Sequence, residues 1–215
     1  MAEDSQLEYE EEQTDGQSAE RPAATAESGT DLPLKEGAVF GAAAFLLSYA
    51  VTWAMTVTTF AASAVDTSGD VPGTFTVAGW SLLANLGSAV EMEGEPISIG
   101  SELGAASPAG YSTMIVLTFL IIVAAGFALA RYEGAEDLES AAKSAVLVVP
   151  GYLVLALLVA VATSWESNAN IEFAVATGDA VLYSGILFPA LFGLIGGLLA
   201  VWPAPVDRVM AQIDG

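Results

Sequence analysis

The sequence predicts an all-α membrane protein, a four-transmembrane-helix bundle with a disordered acidic N-terminal tail and a long extracellular loop. Three observations predict it. Charged residues make up 14% of the 215 and hydrophobic residues 54%, against about 25% charged in an ordinary soluble domain. Four runs, 37–60, 111–130, 144–164 and 180–202, contain no Asp, Glu, Lys or Arg. A helix rises about 1.5 Å per residue, so roughly 20 residues cross a ~30 Å hydrocarbon core, and each run is long enough. The basic residues Arg21, Lys35, Arg131, Lys143 and Arg208 fall only in the N-terminal tail, the second loop and the C-terminal tail.

The runs divide the chain into an acidic tail 1–36, a transmembrane domain 37–202 and a C-terminal tail 203–215. The tail is rich in Glu, Ser, Thr, Ala and Gly and poor in large apolar residues, so burial cannot offset its ordering entropy. Its start, MAEDSQLEYEEEQ, lacks a positive n-region. The first span is therefore expected to act as an uncleaved signal anchor. Positive charge holds short loops on the cytoplasmic side. Both termini and residues 131–143 are accordingly expected inside, and loops 61–110 and 165–179 outside. Tyr111 and Trp165 fall at outer ends and Tyr132 and Trp202 at inner ends, where amphipathic rings favour headgroup depth. Trp53, inside the first span, departs from the pattern.

The formal net charge is −21, and every segment outside the spans carries carboxylates. Such charges repel one another at low salt. At 1 M salt the Debye length falls to about 3 Å and the repulsion is screened. The composition thus predicts a halophile's cell membrane. It excludes a nucleic-acid partner and a polybasic lipid-binding stretch, since both need clustered Lys and Arg. His and Cys are both zero, which removes disulfides, thiolates, Cys/His zinc sites and imidazole catalysis. Proton relays and intramembrane proteases need ionisable groups at depth, and the spans supply none. The expectation is therefore no enzyme, no catalytic residue, no cofactor and no metal.

Where the tail meets the first span, Leu32-Pro-Leu-Lys-Glu-Gly-Ala leads into VFGAAAFLLSYAVTW. With Pro33, Lys35, Gly37, Tyr49 and Thr52, and with Val77-Ala-Gly-Trp80 in the outer loop, this resembles an uncharacterised haloarchaeal family of four-span membrane proteins of unknown function. The resemblance extends over most of the chain from Leu32. It implies no known activity and brings no site residues.

Several features are candidates for function. Trp80, Leu83, Leu86 and Val90 recur at helical spacing within 78–90. That segment is too short to span, so it is expected as an interfacial helix or a lid over the bundle, otherwise as an irregular loop or, less simply, a re-entrant segment. Gly79 and Gly87 weaken its helix propensity. Glu91, Glu93 and Glu95, with Asp66 and Asp70, offer oxygen ligands for calcium or magnesium, although a solvated acidic surface explains them more simply. Gly37 with Gly41, Gly193 with Gly197, and Ala124 with Ala128 have the small-residue spacing that lets helix backbones approach, within a bundle or between subunits. Pro150 and Pro189 should kink the third and fourth spans, as hinges or as static features. Ser48, Thr52 and Thr56 share one face of the first span and either line a polar path or bond to backbone or a neighbouring helix.

These features support three readings. The first is a non-catalytic structural or accessory subunit of a membrane assembly. The second is a small-solute channel or transporter along the Ser48–Thr52–Thr56 stripe. The third is an extracellular cation or partner sensor using loop 61–110. The expected partners are the lipid bilayer and either another membrane protein or further copies of the chain.

Overall fold

The computed structural model describes residues 34–62, 70–99 and 108–202. The acidic tail up to residue 33, Asp66 and the C-terminal tail 203–215 lie outside the described residues. The elements in order are α1 (Leu34–Ala62), α2 (Thr74–Asn85), β1 (Val90–Met92), β2 (Glu95–Ile97), α3 (Pro108–Tyr132), α4 (Leu138–Val146), α5 (Val149–Ala162), β3 (Trp165–Glu166), β4 (Glu172–Val175) and α6 (Thr177–Ala200). Residues Ala180–Leu187 of α6 are π-helical. Four stretches are long and apolar enough to cross a membrane: Leu34–Ala62, Gly110–Tyr132, Leu138–Ala162 and Thr177–Ala200.

The third of these begins six residues before the expected start at 144, inside what the charge pattern assigned to a loop. The reason is local. Asp137 and Ser140 form a capping box, with the Ser140 N–H donating to Asp137 Oδ1 at 2.8 Å. This satisfies free helix N–H groups and starts α4 early. Charged residues then continue on its outer face, where Lys143 Nζ donates to Glu139 at 2.6 Å, while Ala141, Ser144 and Ala145 turn inward. A strict absence of charge therefore marks the apolar core of this helix and misses its amphipathic first turns.

Pro150 interrupts the third span. It sits in the first turn of α5, after a break at Leu147–Val148. There its missing N–H costs nothing and its fixed φ suits the helix start. Pro189 likewise follows the π-helical stretch of α6. A π-turn widens the helix just where the proline ring would otherwise strike the carbonyl one turn earlier.

The loops outside the helices carry more order than their composition predicts. β1 and β2 form a hairpin whose two-residue turn, Glu93-Gly94, has φ 53° and 84°, the left-handed pair that a tight hairpin turn requires. β1 also pairs antiparallel with β4, Val90 opposite Val175 and Met92 opposite Phe173. β3 pairs with β4, giving a four-stranded sheet of order β2-β1-β4-β3. This sheet joins the long loop to the short one. With strands of two to four residues, it leaves too little periodicity to read in sequence.

The segment expected to be helical over 78–90 is α2, displaced toward the N-terminus. It ends in a Schellman turn: the Gly87 N–H donates to Ala84 O and the Ser88 N–H to Leu83 O, both at 3.0 Å. Gly87 has φ +85°, which makes it the helix stop rather than a weak point within the helix. The rest of the segment turns into β1. Trp80, Leu83, Leu86 and Val90 are all in the core, as their spacing implied.

Candidate functional site

The chemistry-bearing residues gather in the half of the bundle nearest the sheet. α2 is wedged between α1, α5 and α6 rather than lying across the helix ends. The Tyr49 hydroxyl of α1 donates to Phe75 O at 2.9 Å, and the Trp80 Nε1–H donates to Thr163 O, beyond α5, at 2.9 Å. On its other side, Ser184 Oγ donates to Leu83 O at 3.0 Å and shares a 2.6 Å hydrogen bond with Ser88 Oγ. Gly87 lies against the Tyr183 and Phe188 side chains. Ser184 and Phe188 are seven and eleven residues into α6, so α2 reaches roughly 10–16 Å inside that helix's start. Gly79 permits this seating, because a β-carbon there would meet Thr163 and Val159. The sheet seals α2 from the far side, with the Trp80 and Trp165 rings 5.9 and 5.3 Å from Phe173.

The Ser48–Thr52–Thr56 stripe is buried; Ser48 and Thr52 have 0% exposure. Thr56 Oγ1 donates back to Thr52 O at 2.9 Å, the ordinary way for a helical threonine to satisfy itself. Ser48 Oγ and Thr52 Oγ1 have no hydrogen-bond partner. Opposite Ser48 stands Tyr152, also fully buried, its ring 5.0 Å edge-on from Phe45. The Tyr152 hydroxyl is likewise without a hydrogen-bond partner. Both side-chain ends of Asn85 on α2 are also buried without a partner. Tyr152 and Asn85 were absent from the sequence reading. A tyrosine in an apolar run, and an asparagine in a segment read for its apolar spacing, carry no periodic signal.

Where α1, α2 and α3 meet, Thr56, Thr59, Ser81, Tyr111 and Met114 line a cleft of about 30 Å³, room for one or two waters. Among the described residues, the buried polar side-chain groups are hydroxyls, the amide of Asn85 and the Trp80 indole N–H, which already donates to Thr163 O. They can accept or donate hydrogen bonds to a neutral group.

The carboxylates divide. Glu91 and Glu93 line a shallow cleft of about 220 Å³ with Glu172 of β4, whereas Glu95 on β2 does not line it. Among the described residues no three carboxylates are placed to hold a metal ion. Asp70 is engaged otherwise, its Oδ2 accepting from the Asn168 N–H at 2.6 Å. Asp179 Oδ2 accepts from the Ala89 N–H at 3.1 Å.

The glycine pairs serve the bundle itself. β-Carbons at Gly37 and Gly41 would overlap Leu147 and Val148, and one at Gly197 would lie 2.7 Å from Ala141 O. Gly126, Gly151 and Gly196, which the spacing rule passed over, make contacts as close: with Gly193, Ala38 and Val123 respectively. Ala124 and Ala128, by contrast, are exposed.

A family model matches residues 16–204 and is described as a family of unknown function, DUF7978. The chain belongs to that family. Comparison with curated proteins gives no match, and neither does comparison with solved structures. The match covers the four apolar helices, the four-stranded sheet and α2.

Proposed function

We propose that this DUF7978 protein is a multi-pass membrane protein of a halophile that acts as a non-catalytic structural or accessory subunit of a membrane assembly. Both termini are on the cytoplasmic side, and the sheet and α2 are on the outer side. The observation that carries the reading is backbone-to-backbone packing. Gly41 meets Val148, Gly151 meets Ala38, Gly126 meets Gly193 and Gly196 meets Val123. Helices in lipid associate through such close contacts. Outside the packing, Leu46, Val116, Leu158 and Leu191 are exposed, as surfaces facing acyl chains would be.

The test has three parts: sodium carbonate extraction, reporter fusions at each terminus, and cross-linking of the tagged full chain in native membranes at high salt. The expected result is a membrane-retained protein with both reporters cytoplasmic and one membrane protein cross-linked at fixed stoichiometry. Extraction by carbonate, or reporters in opposite compartments, overturns the topology.

The second reading, a path for a small neutral solute, has one observation in its favour: the unpartnered hydroxyls of Ser48, Thr52 and Tyr152. Swelling of proteoliposomes in glycerol or urea decides between the two. The subunit reading expects the rate of empty vesicles; faster swelling that Ser48→Leu abolishes establishes the path.

A further inference from the structure

We propose that Tyr49, Trp53 and Phe75 form the surface that contacts the headgroup layer of the outer leaflet, so that α1 leaves the bilayer at Trp53 and its last two turns stand in water; this rests on the membrane reading above. Trp53 is 46% exposed and Phe75 49%. Tyr49 and Trp53 are four residues apart on α1 and share a face. The Tyr49 ring lies 5.3 Å from that of Phe75, and its hydroxyl donates to Phe75 O. Tyrosine and tryptophan, apolar at one end and polar at the other, suit the boundary between acyl chains and headgroups.

The packing of the helices sets the depth of these rings. Gly37 meets Leu147, Gly41 meets Val148 and Tyr152, and Gly151 meets Ala38 and Ala42. The first and third spans therefore run side by side in the same direction, each residue of α1 level with the one about 110 further along the chain. On that offset Trp53 is level with Thr163, the residue that ends α5. α3 runs the opposite way: Phe40 meets Tyr132 at one end, and Thr56 shares a cleft with Tyr111 and Met114 at the other. It therefore reaches the height of Trp53 near Ile115 and Val116. α2 lies at this height too, since Trp80 bonds to Thr163 O and Ser184 of α6 bonds to Leu83 O.

Two observations put the bilayer boundary there. The first is length. From Lys35 to Trp53 a helix rises about 27 Å, and from Lys143 to Thr163 about 30 Å, the thickness of a hydrocarbon core. Carried on to Ala62, α1 would measure about 40 Å from Lys35, too long for a core that its neighbour crosses in about 30 Å. The second is the change in exposed surface. At and below this height it carries Leu46 and Leu47 on α1, Val116 and Leu120 on α3, and Val154 and Leu158 on α5. Above it the exposed residues are Ala54, Val57, Thr58, Ala61 and Ala62 on α1 and Ser112 and Thr113 on α3. On α6, Leu182 and Tyr183 remain exposed just above Ser184, within the thickness of a headgroup layer. The apolar run continues to Phe60 because alanine, valine, methionine and threonine carry no charge, and Trp53 gains the interfacial place that the run denied it.

The chain has no cysteine, so one introduced cysteine reports one position. Full-length Leu47→Cys, Thr58→Cys and Ala61→Cys, all at exposed sites, are reconstituted in liposomes at molar salt and treated on both faces with a membrane-impermeant maleimide. Only the thiolate reacts, and it does not form in hydrocarbon. Thr58→Cys is expected to react about as fast as Ala61→Cys and about tenfold or more faster than Leu47→Cys. The fluorescence lost in Trp53→Phe isolates the Trp53 signal, which should be quenched more by a nitroxide on the lipid headgroup than by one near the end of the acyl chain. A Thr58→Cys as slow as Leu47→Cys beside a fast Ala61→Cys, or the reverse order of quenching, overturns the boundary alone. A Leu47→Cys as fast as Ala61→Cys overturns the membrane reading itself.

Discussion

Gly126 of α3 rests directly on the backbone of Gly193 in α6: a β-carbon at Gly126 would overlap the Gly193 carbonyl. One turn further, Gly196 makes the reciprocal contact with Val123. Two helices that interlock through missing side chains cannot accept new ones without separating. Gly126→Val is therefore expected to lower stability by about 1–3 kcal/mol, the usual range for overpacking a close-fitted site. Ala128→Val, on the exposed side of the same helix, should change it little. Thermal midpoints of the two variants in one detergent test this, and a similar loss for both would refute the packing.

Gly87 makes a sharper prediction. Its φ of +85° costs an L-residue about 1–2 kcal/mol, and a β-carbon would stand 3.1 Å from the Phe188 ring. Gly87→Ala should destabilise the junction of α2 and the sheet while leaving the four long helices folded. Limited proteolysis should then cut the 70–99 region faster, with far-UV circular dichroism almost unchanged.

The Trp80 indole holds α2 to the end of α5 through one hydrogen bond, to Thr163 O at 2.9 Å. Trp80→Phe keeps most of the apolar bulk and leaves that buried carbonyl without this donor. The expected cost is about 1–2 kcal/mol, read as a lower thermal midpoint; a midpoint equal to wild type would show that the bond contributes nothing net.

The composition of the acidic tail predicts that the bundle folds without it. Deletion of residues 1–31 should leave membrane insertion and the thermal midpoint intact, as measured by carbonate-resistant pelleting and by melting. A truncated protein found in the soluble fraction would assign the tail a role in insertion.

The charge of −21 predicts a dependence on salt. At roughly 0.1 M salt the Debye length is about 10 Å, against about 3 Å at 1 M. Dilution from molar salt should therefore lower the melting midpoint or precipitate the detergent-solubilised protein, as followed by size-exclusion chromatography. A protein indifferent to dilution would break the link between acidity and habitat.

The sequence by itself determined the parts of this protein that depend on local composition. Uninterrupted apolar runs are visible one residue at a time, so the four long helices were legible from the absence of charge. The burial of Trp80, Leu83, Leu86 and Val90 was legible too, because their spacing records a single buried face. Only the tertiary structure decided what depends on partners distant in the chain. Val90 pairs with Val175, Gly126 meets Gly193 and Ser88 bonds to Ser184, each across more than sixty residues of sequence. Strands of two to four residues have too short a pattern to announce themselves. A glycine carries no mark of which backbone will fill the space beside it. The four-stranded sheet, the depth of α2 and the choice of packing glycines were set by which chain segments meet, and a linear pattern records only what each segment would bury, not against what.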